Sequence, residues 1–254
     1  MAPAAAPGSK STDAGATPQP KRLTPPCAGA YWRGITAALR LSMAEIFSHR
    51  SRRPGKAGKL AGLAFVAVVF LTGAARAFDT VILDAGHGDH DRGASIGYVY
   101  EKHLCLDTAR RVERLLKQAG LKVVLTRSTD EFITLQNRAD MGNSRRNAIF
   151  VSIHYNYSRG GSGHGVETFY HFEKSYLLAA YIQAYLLKST GLANRGVKHA
   201  SYFVIRKTTR NPAVLVECGF VSNSAERQKM MDGAFRAKIA EGIAQGIVGY
   251  KRSR

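Results

Sequence analysis

Cysteine is scarce, with three among 254 residues, and only Cys105 and Cys218 fall beyond the first quarter of the chain. That density excludes a small disulfide-built scaffold even in an oxidising compartment, and the two thiols read instead as small buried side chains. Acidic residues are also few: 18 Asp and Glu stand against 37 Lys and Arg, giving a net charge of +19. The imbalance is general, because residues 1–77 hold 11 basic and 2 acidic side chains and the remainder 26 and 16. Such a body suits an anionic polymer or membrane surface, or simply maintains solubility. No interleaved aromatic and basic recognition motif is present, which argues against a nucleic-acid partner. Long apolar runs are missing too. The most apolar stretch, residues 60–72, is 13 residues long, short of the ~20 needed to cross a hydrocarbon core of ~30 Å, so no permanent membrane span is expected. Internal repeats are absent.

What the chain does contain is sharply divided. Residues 1–58 are rich in Ala, Pro, Ser and Thr and end in a positive run of Arg50, Arg52, Arg53 and Lys56; a segment without a periodic apolar face reads as disordered and basic. Residues 59–77 add Lys59, the apolar stretch and the small-x-small triplet Ala75-Arg76-Ala77, the layout of a secretory signal peptide cleaved after Ala77. An uncleaved anchor is the alternative. Met43 stands at a workable distance upstream to be the true start. The expected address is outside the cytoplasm, in the periplasm or in the cell wall and extracellular space.

From residue 78 to 254 short β-branched runs alternate with helical patterns, which indicates one α/β domain. Strands are expected at 80–84, 122–126, 149–154, 166–170, 202–205 and 213–217, with helices between the first two strands and at about 135–146, 174–190, 225–231 and 234–250. Gly120, Gly191 and Gly233 punctuate them.

The polar residues that break this pattern lie at strand ends. Val81-Ile-Leu-Asp-Ala-Gly-His-Gly runs a buried strand into a glycine-flanked turn and presents His87 at its end. Ser152-Ile-His-Tyr-Asn does the same for His154. Glu101 opens the first long helix; two imidazoles and one carboxylate with an open fourth position is a recurrent catalytic zinc set. Each residue alone has a plainer account: histidines often serve structural roles, and a Glu in a first helical turn complements the helix dipole. Val214-Leu-Val-Glu-Cys-Gly-Phe places Glu217 at the end of a fully apolar strand, costly to bury without a partner. A salt bridge to a nearby Arg is the competing account.

Together with Tyr100-Glu-Lys-His-Leu and Gly165-Val-Glu-Thr, these segments occur in an order that resembles the zinc-dependent N-acetylmuramoyl-L-alanine amidases. The resemblance covers about residues 79–249 and includes Val124-Leu-Thr-Arg-Ser-Thr-Asp, Arg195-Gly-Val-Lys, Asn211-Pro-Ala and Phe220-Val-Ser-Asn. It implies an α/β fold with a mixed central sheet, here of six strands flanked by helices. It also implies one zinc ion per chain held by His87, Glu101 and His154, Glu217 as the catalytic carboxylate, and peptidoglycan as substrate, cut between N-acetylmuramic acid and the L-Ala of the stem peptide. Asn156, Arg195 and Lys198 are candidate substrate contacts, though Asn156 could equally brace its loop and the two cations simply face solvent; Asp84 is a candidate partner that orients His87, with a structural turn cap as the alternative. The chain departs from the family pattern at Ala85, where Pro is commoner, and in a short loop over 89–100. Some members insert a plugging helix after the strand that here ends near His171; this chain proceeds directly to the next helix, so no obligatory activator protein is expected. A zinc peptidase acting within the stem peptide, and a non-catalytic wall-binding regulator, are the rival functions.

Overall fold

The computed structural model describes residues 78–254. The disordered basic segment expected at 1–58, its alternative start at Met43, and the signal sequence and cleavage site at 59–77 lie outside the described residues.

The sheet has six strands: β1 (Thr80–Ala85), β4 (Lys122–Leu125), β5 (Ala148–Asn156), β6 (Val166–Tyr170), β7 (Asn194–His199) and β8 (Ala213–Phe220). Their order is β4-β1-β5-β8-β6-β7. All neighbours are parallel except β6, which runs antiparallel to β8. A small hairpin, β2 (Ser95–Ile96) with β3 (Val99–Tyr100), precedes the first helix. The sheet is therefore mixed and α/β, as the resemblance implied.

Alternation along the central strands decides which residues face which layer. Val81, Leu83, Ile149, Val151, Ile153, Val214 and Val216 meet the buried faces of α1 (Glu101–Gln118), α3 (Tyr176–Thr190) and α6 (Gly233–Arg252) in the larger core. Ile82, Phe150, Phe169 and Leu215 project to the other face, where Val204 and Ile205 of α4 (Phe203–Lys207) close a smaller one. On that side α2 (Leu135–Asn143) packs against α4. The remaining helix, α5 (Ser224–Met231), is capped by the Asn223 side chain. Strands buried on both faces read as continuous apolar runs, which is why β1, β5 and β8 are plain in the sequence.

One strand was misplaced. The stretch expected as a strand at 202–205 is the start of α4, and the sixth strand is β7. Four apolar residues in a row do not distinguish a strand from a buried helical turn. β7 is an edge strand paired only with β6, so Asn194-Arg-Gly-Val-Lys-His needs little apolar content and escapes the pattern. No helix among the described residues is long and apolar enough to cross a membrane, and Cys105 and Cys218 are buried, free thiols.

Candidate metal centre

β1 and β5 are parallel neighbours in register from Thr80↔Ala148 to Ala85↔Ile153, so the turn after β1 and the end of β5 reach the same rim. His87 sits in that turn with φ 59°, a left-handed conformation that non-glycine residues seldom adopt and that marks strained functional turns. α1 begins at the same rim, and its first residue is Glu101. As a result His87, Glu101 and His154 each direct a ligand atom to one point, all within 4.8 Å of one another.

The closest approaches share a single oxygen. Glu101 Oε1 lies 3.1 Å from His87 Nε2 and 2.9 Å from His154 Nδ1. The carboxylate is anchored by the main chain: Tyr155 donates its N–H to Oε1 at 3.0 Å, and Ala94 donates its N–H to Oε2 at 2.8 Å. Burial opposes the charge on Glu101, yet hydrogen bonds from the two imidazoles outweigh it and hold the carboxyl well below its usual range. His87 shows the mirror effect: burial pulls its pKa down, and Glu101 and Asp91 more than compensate, so it is raised. Two glycines make the room. A methyl group on Gly86 would overlap the His154 ring, and one on Gly93 would overlap Glu101 and His87.

His87 Nδ1 is 2.8 Å from Asp91 Oδ2, so Asp91 can accept the Nδ1 proton, and Nε2, which faces Glu101, is the nitrogen that would be offered to an ion. Sequence reasoning missed Asp91. The available signal was a carboxylate four residues after a candidate ligand in a glycine-flanked loop.

The expectation that Asp84 orients the His87 ring is corrected. Asp84 is completely buried and accepts hydrogen bonds from Thr126 Oγ1 at 2.7 Å, Ser152 Oγ at 2.6 Å and Arg138 Nη1 at 2.7 Å. Its carboxylate is fully engaged within the sheet face, one layer beneath the rim. It reaches His87 only through Arg138, whose Nη2 donates to the His87 carbonyl at 2.7 Å. Arg127 complements it, donating to the carbonyls of Ala85 at 2.9 Å and of Gly86 and Lys102 at 2.8 Å. Arg127 lies within one of the motifs that carry the resemblance and Arg138 outside them, and for neither does the local sequence show that its guanidinium will clamp the turn after β1.

Glu217 stands in register with His154 on the adjacent parallel strand. Its Oε2 is buried and has no hydrogen-bond partner among the described residues. Burial, reinforced by repulsion from Glu101 and Glu167, raises its pKa well above the ordinary carboxylate value. No arginine pairs with it among the described residues. Across β8, Glu217 is in register with Glu167 of antiparallel β6. The three candidate substrate contacts, Asn156, Arg195 and Lys198, all converge on Glu167.

The rim thus holds two imidazoles and a carboxylate around one point, with an unpaired carboxyl one strand away. That is the donor set of catalytic zinc enzymes placed at the strand ends of an open α/β sheet, where such folds keep their sites. The chain belongs to the N-acetylmuramoyl-L-alanine amidase family, whose model matches residues 81–248. It is 38% identical over 178 residues to the N-acetylmuramoyl-L-alanine amidase LytC of Bacillus subtilis, covering 68% of this chain and 36% of LytC. The chain therefore spans about a third of that relative's length. Among solved structures, the catalytic domain of CwlV, an N-acetylmuramoyl-L-alanine amidase from Bacillus (Paenibacillus) polymyxa var. colistinus, superposes with a TM-score of 0.66 at 41% identity. That match covers 69% of this chain and 99% of CwlV's domain. An N-acetylmuramoyl-L-alanine amidase from Clostridium difficile 630 gives 0.65 at 34% identity, over 71% of this chain and all (100%) of that one.

Proposed function

We propose that residues 78–254 form a zinc-dependent amidase that hydrolyses the bond between N-acetylmuramic acid and the L-Ala of the peptidoglycan stem peptide. The observation that carries this reading is the convergence of His87, Glu101 and His154 beside an unpaired, proton-avid Glu217. The donor chemistry fits a zinc ion: two neutral nitrogens and one carboxylate, with Asp91 fixing a tautomer and the remaining side open. When bound, zinc supplies Lewis acidity that makes a water nucleophilic near neutral pH and polarises an amide carbonyl.

The chain's own residues account for the rest. His87, Glu101 and His154 would hold the ion, and the backbone donors of Ala94 and Tyr155 keep Glu101 in place. Glu217 accepts the proton of the attacking water at its free Oε2 and returns it to the departing Ala nitrogen. Its raised proton affinity suits a group that must both take and give. An amide needs both halves of that transfer, because its carbonyl is a weak electrophile and its amine a poor leaving group.

The domain should act without an activator. β6 ends at Tyr170 and is joined to α3 by a single 3-10 turn, Glu173–Ser175, and the side chains of His87 and His154 keep 22% and 17% of their surface exposed at the rim. Export to the periplasm or wall follows from the substrate and from the signal-like segment at 59–77.

The test is metal analysis of the purified protein beside a Glu217→Gln variant, both assayed alone on purified peptidoglycan. One zinc per chain in both and release of intact stem peptides by the wild type only are expected. Fragments cut within the stem would point to a peptidase, and activity that required a second protein would contradict the unassisted mechanism.

A further inference from the structure

Glu167 lies in the middle of β6 and is 3% exposed. Asn156 donates from Nδ2 to its Oε1 at 2.6 Å, Arg195 donates from Nε to its Oε2 at 3.0 Å, and the Lys198 ammonium donates to the same Oε2. One carboxylate therefore answers two cations, and among the described residues neither cation has another acidic partner. The cluster carries one surplus positive charge.

Neither cation is loose. The Arg195 guanidinium lies over the Phe220 ring at 4.9 Å and the Lys198 ammonium over Phe169 at 5.9 Å, contacts that hold each head group in place. With Nε on Glu167, the outer guanidinium edge of Arg195 has only a 3.5 Å contact to the His164 carbonyl. Side-chain exposures of 36% and 40% leave these unused donors open to solvent.

The position is what makes the cluster relevant to the site. Glu167 is in register with Glu217, and Glu217 with His154, so two strand spacings, roughly 9.5 Å, separate the backbone of Glu167 from that of the candidate metal ligand, and the two cation head groups, reaching back from β7, gather on the Glu167 carboxylate. At ~3.3–3.6 Å per extended residue, that is the reach of two or three peptide residues from the bond being cut. Of the two sides of this bond, the N-acetylated sugar has no charge once its carboxyl is tied up in the amide, whereas a peptide always carries at least its terminal carboxylate.

We propose that Arg195 and Lys198, set in place by Glu167, form a corner that reads a free carboxylate within the first two or three residues of the stem peptide. Arg195 and Lys198 determine specificity, and Glu167 is a positioning residue. The proposal rests on the amidase reading above. A purely structural ion cluster would show no dependence on substrate charge.

The experiment uses the zinc-loaded full chain and two N-acetylmuramoyl peptides of one sequence, with side-chain and terminal carboxylates either free or converted to amides. The wild type is expected to favour the free form roughly tenfold in kcat/KM, the size of a charge-assisted hydrogen bond, chiefly through KM. The preference should shrink as salt rises. Lys198→Gln should bring the ratio toward one and Lys198→Arg should restore it; both leave Arg195 on Glu167, so no buried charge is orphaned. A wild-type ratio near one, or an undiminished ratio in Lys198→Gln, overturns the proposal while leaving the amidase reading intact. Cleavage of neither peptide overturns both.

Discussion

Asp84 and Glu217 flank β5 on either side and share one face of the sheet, offset by about two residues: Asp84 pairs in register with Ser152, and Glu217 with His154. Lower down, Asp84 is saturated by Thr126, Ser152 and Arg138. Burial works against its charge, and the Arg138 guanidinium with the two hydroxyls reverses that and lowers its pKa. At the rim, Glu217 keeps a buried oxygen without a partner, and burial with neighbouring carboxylates raises its pKa. A charge whose hydrogen bonds are complete supports structure, whereas one left incomplete is available to take part in a reaction.

If the two levels differ in this way, mutations should separate activity from stability. The largest effect is expected from Glu217→Gln: a fall in turnover of ~10² to 10⁴ with zinc content retained. In the metal-free protein, thermal unfolding of this variant should be no easier than in the wild type, because the amide removes a carboxyl that the fold disfavours in its charged form. A stability loss there would break the distinction.

Next comes the lower level. Arg138→Met leaves Asp84 as an uncompensated buried charge and removes a clamp from the His87 turn, and should cost about 3–5 kcal/mol in denaturant unfolding. An effect near zero would show that water reaches Asp84. Asp91→Asn removes the charge and, with its oxygen kept on the Gly93 N–H, turns an NH2 group toward His87 Nδ1, and should weaken zinc binding roughly 10- to 100-fold in chelator competition.

The smallest effect concerns acid. Asp84 holds its proton less tightly folded than unfolded, so its contribution to stability is complete above its unfolded pKa, about 4. That contribution is lost as pH falls through the lower folded value. Asp84→Asn should be less stable at neutral pH, and the gap to the wild type should narrow as pH is lowered below about 4.

Much of the candidate site is legible in the sequence. His87 and His154 end apolar strands, Glu217 interrupts one, and Glu101 follows a short loop into a long helix. Glu167, like Glu217, is a carboxylate in a mostly apolar strand, Val-Glu-Thr-Phe-Tyr, and could have been read from Gly165-Val-Glu-Thr by that reasoning. Its partners could not: Asn156, Arg195 and Lys198 lie 11, 28 and 31 residues away and meet it only through strand pairing. The misplaced strand at 202–205 has a similar cause, since an edge strand paired on one side needs little of the apolar text by which strands are recognised.

By itself the sequence determined the α/β class, five of the six strands, the family and the candidate residues at the rim, because burial on both faces and glycine-hinged turns are written locally. The tertiary structure alone decided which carboxylate is engaged and which is free. That depends on arginines and hydroxyls brought from other strands and helices, and pairing across a sheet is a property of register, which no single segment contains.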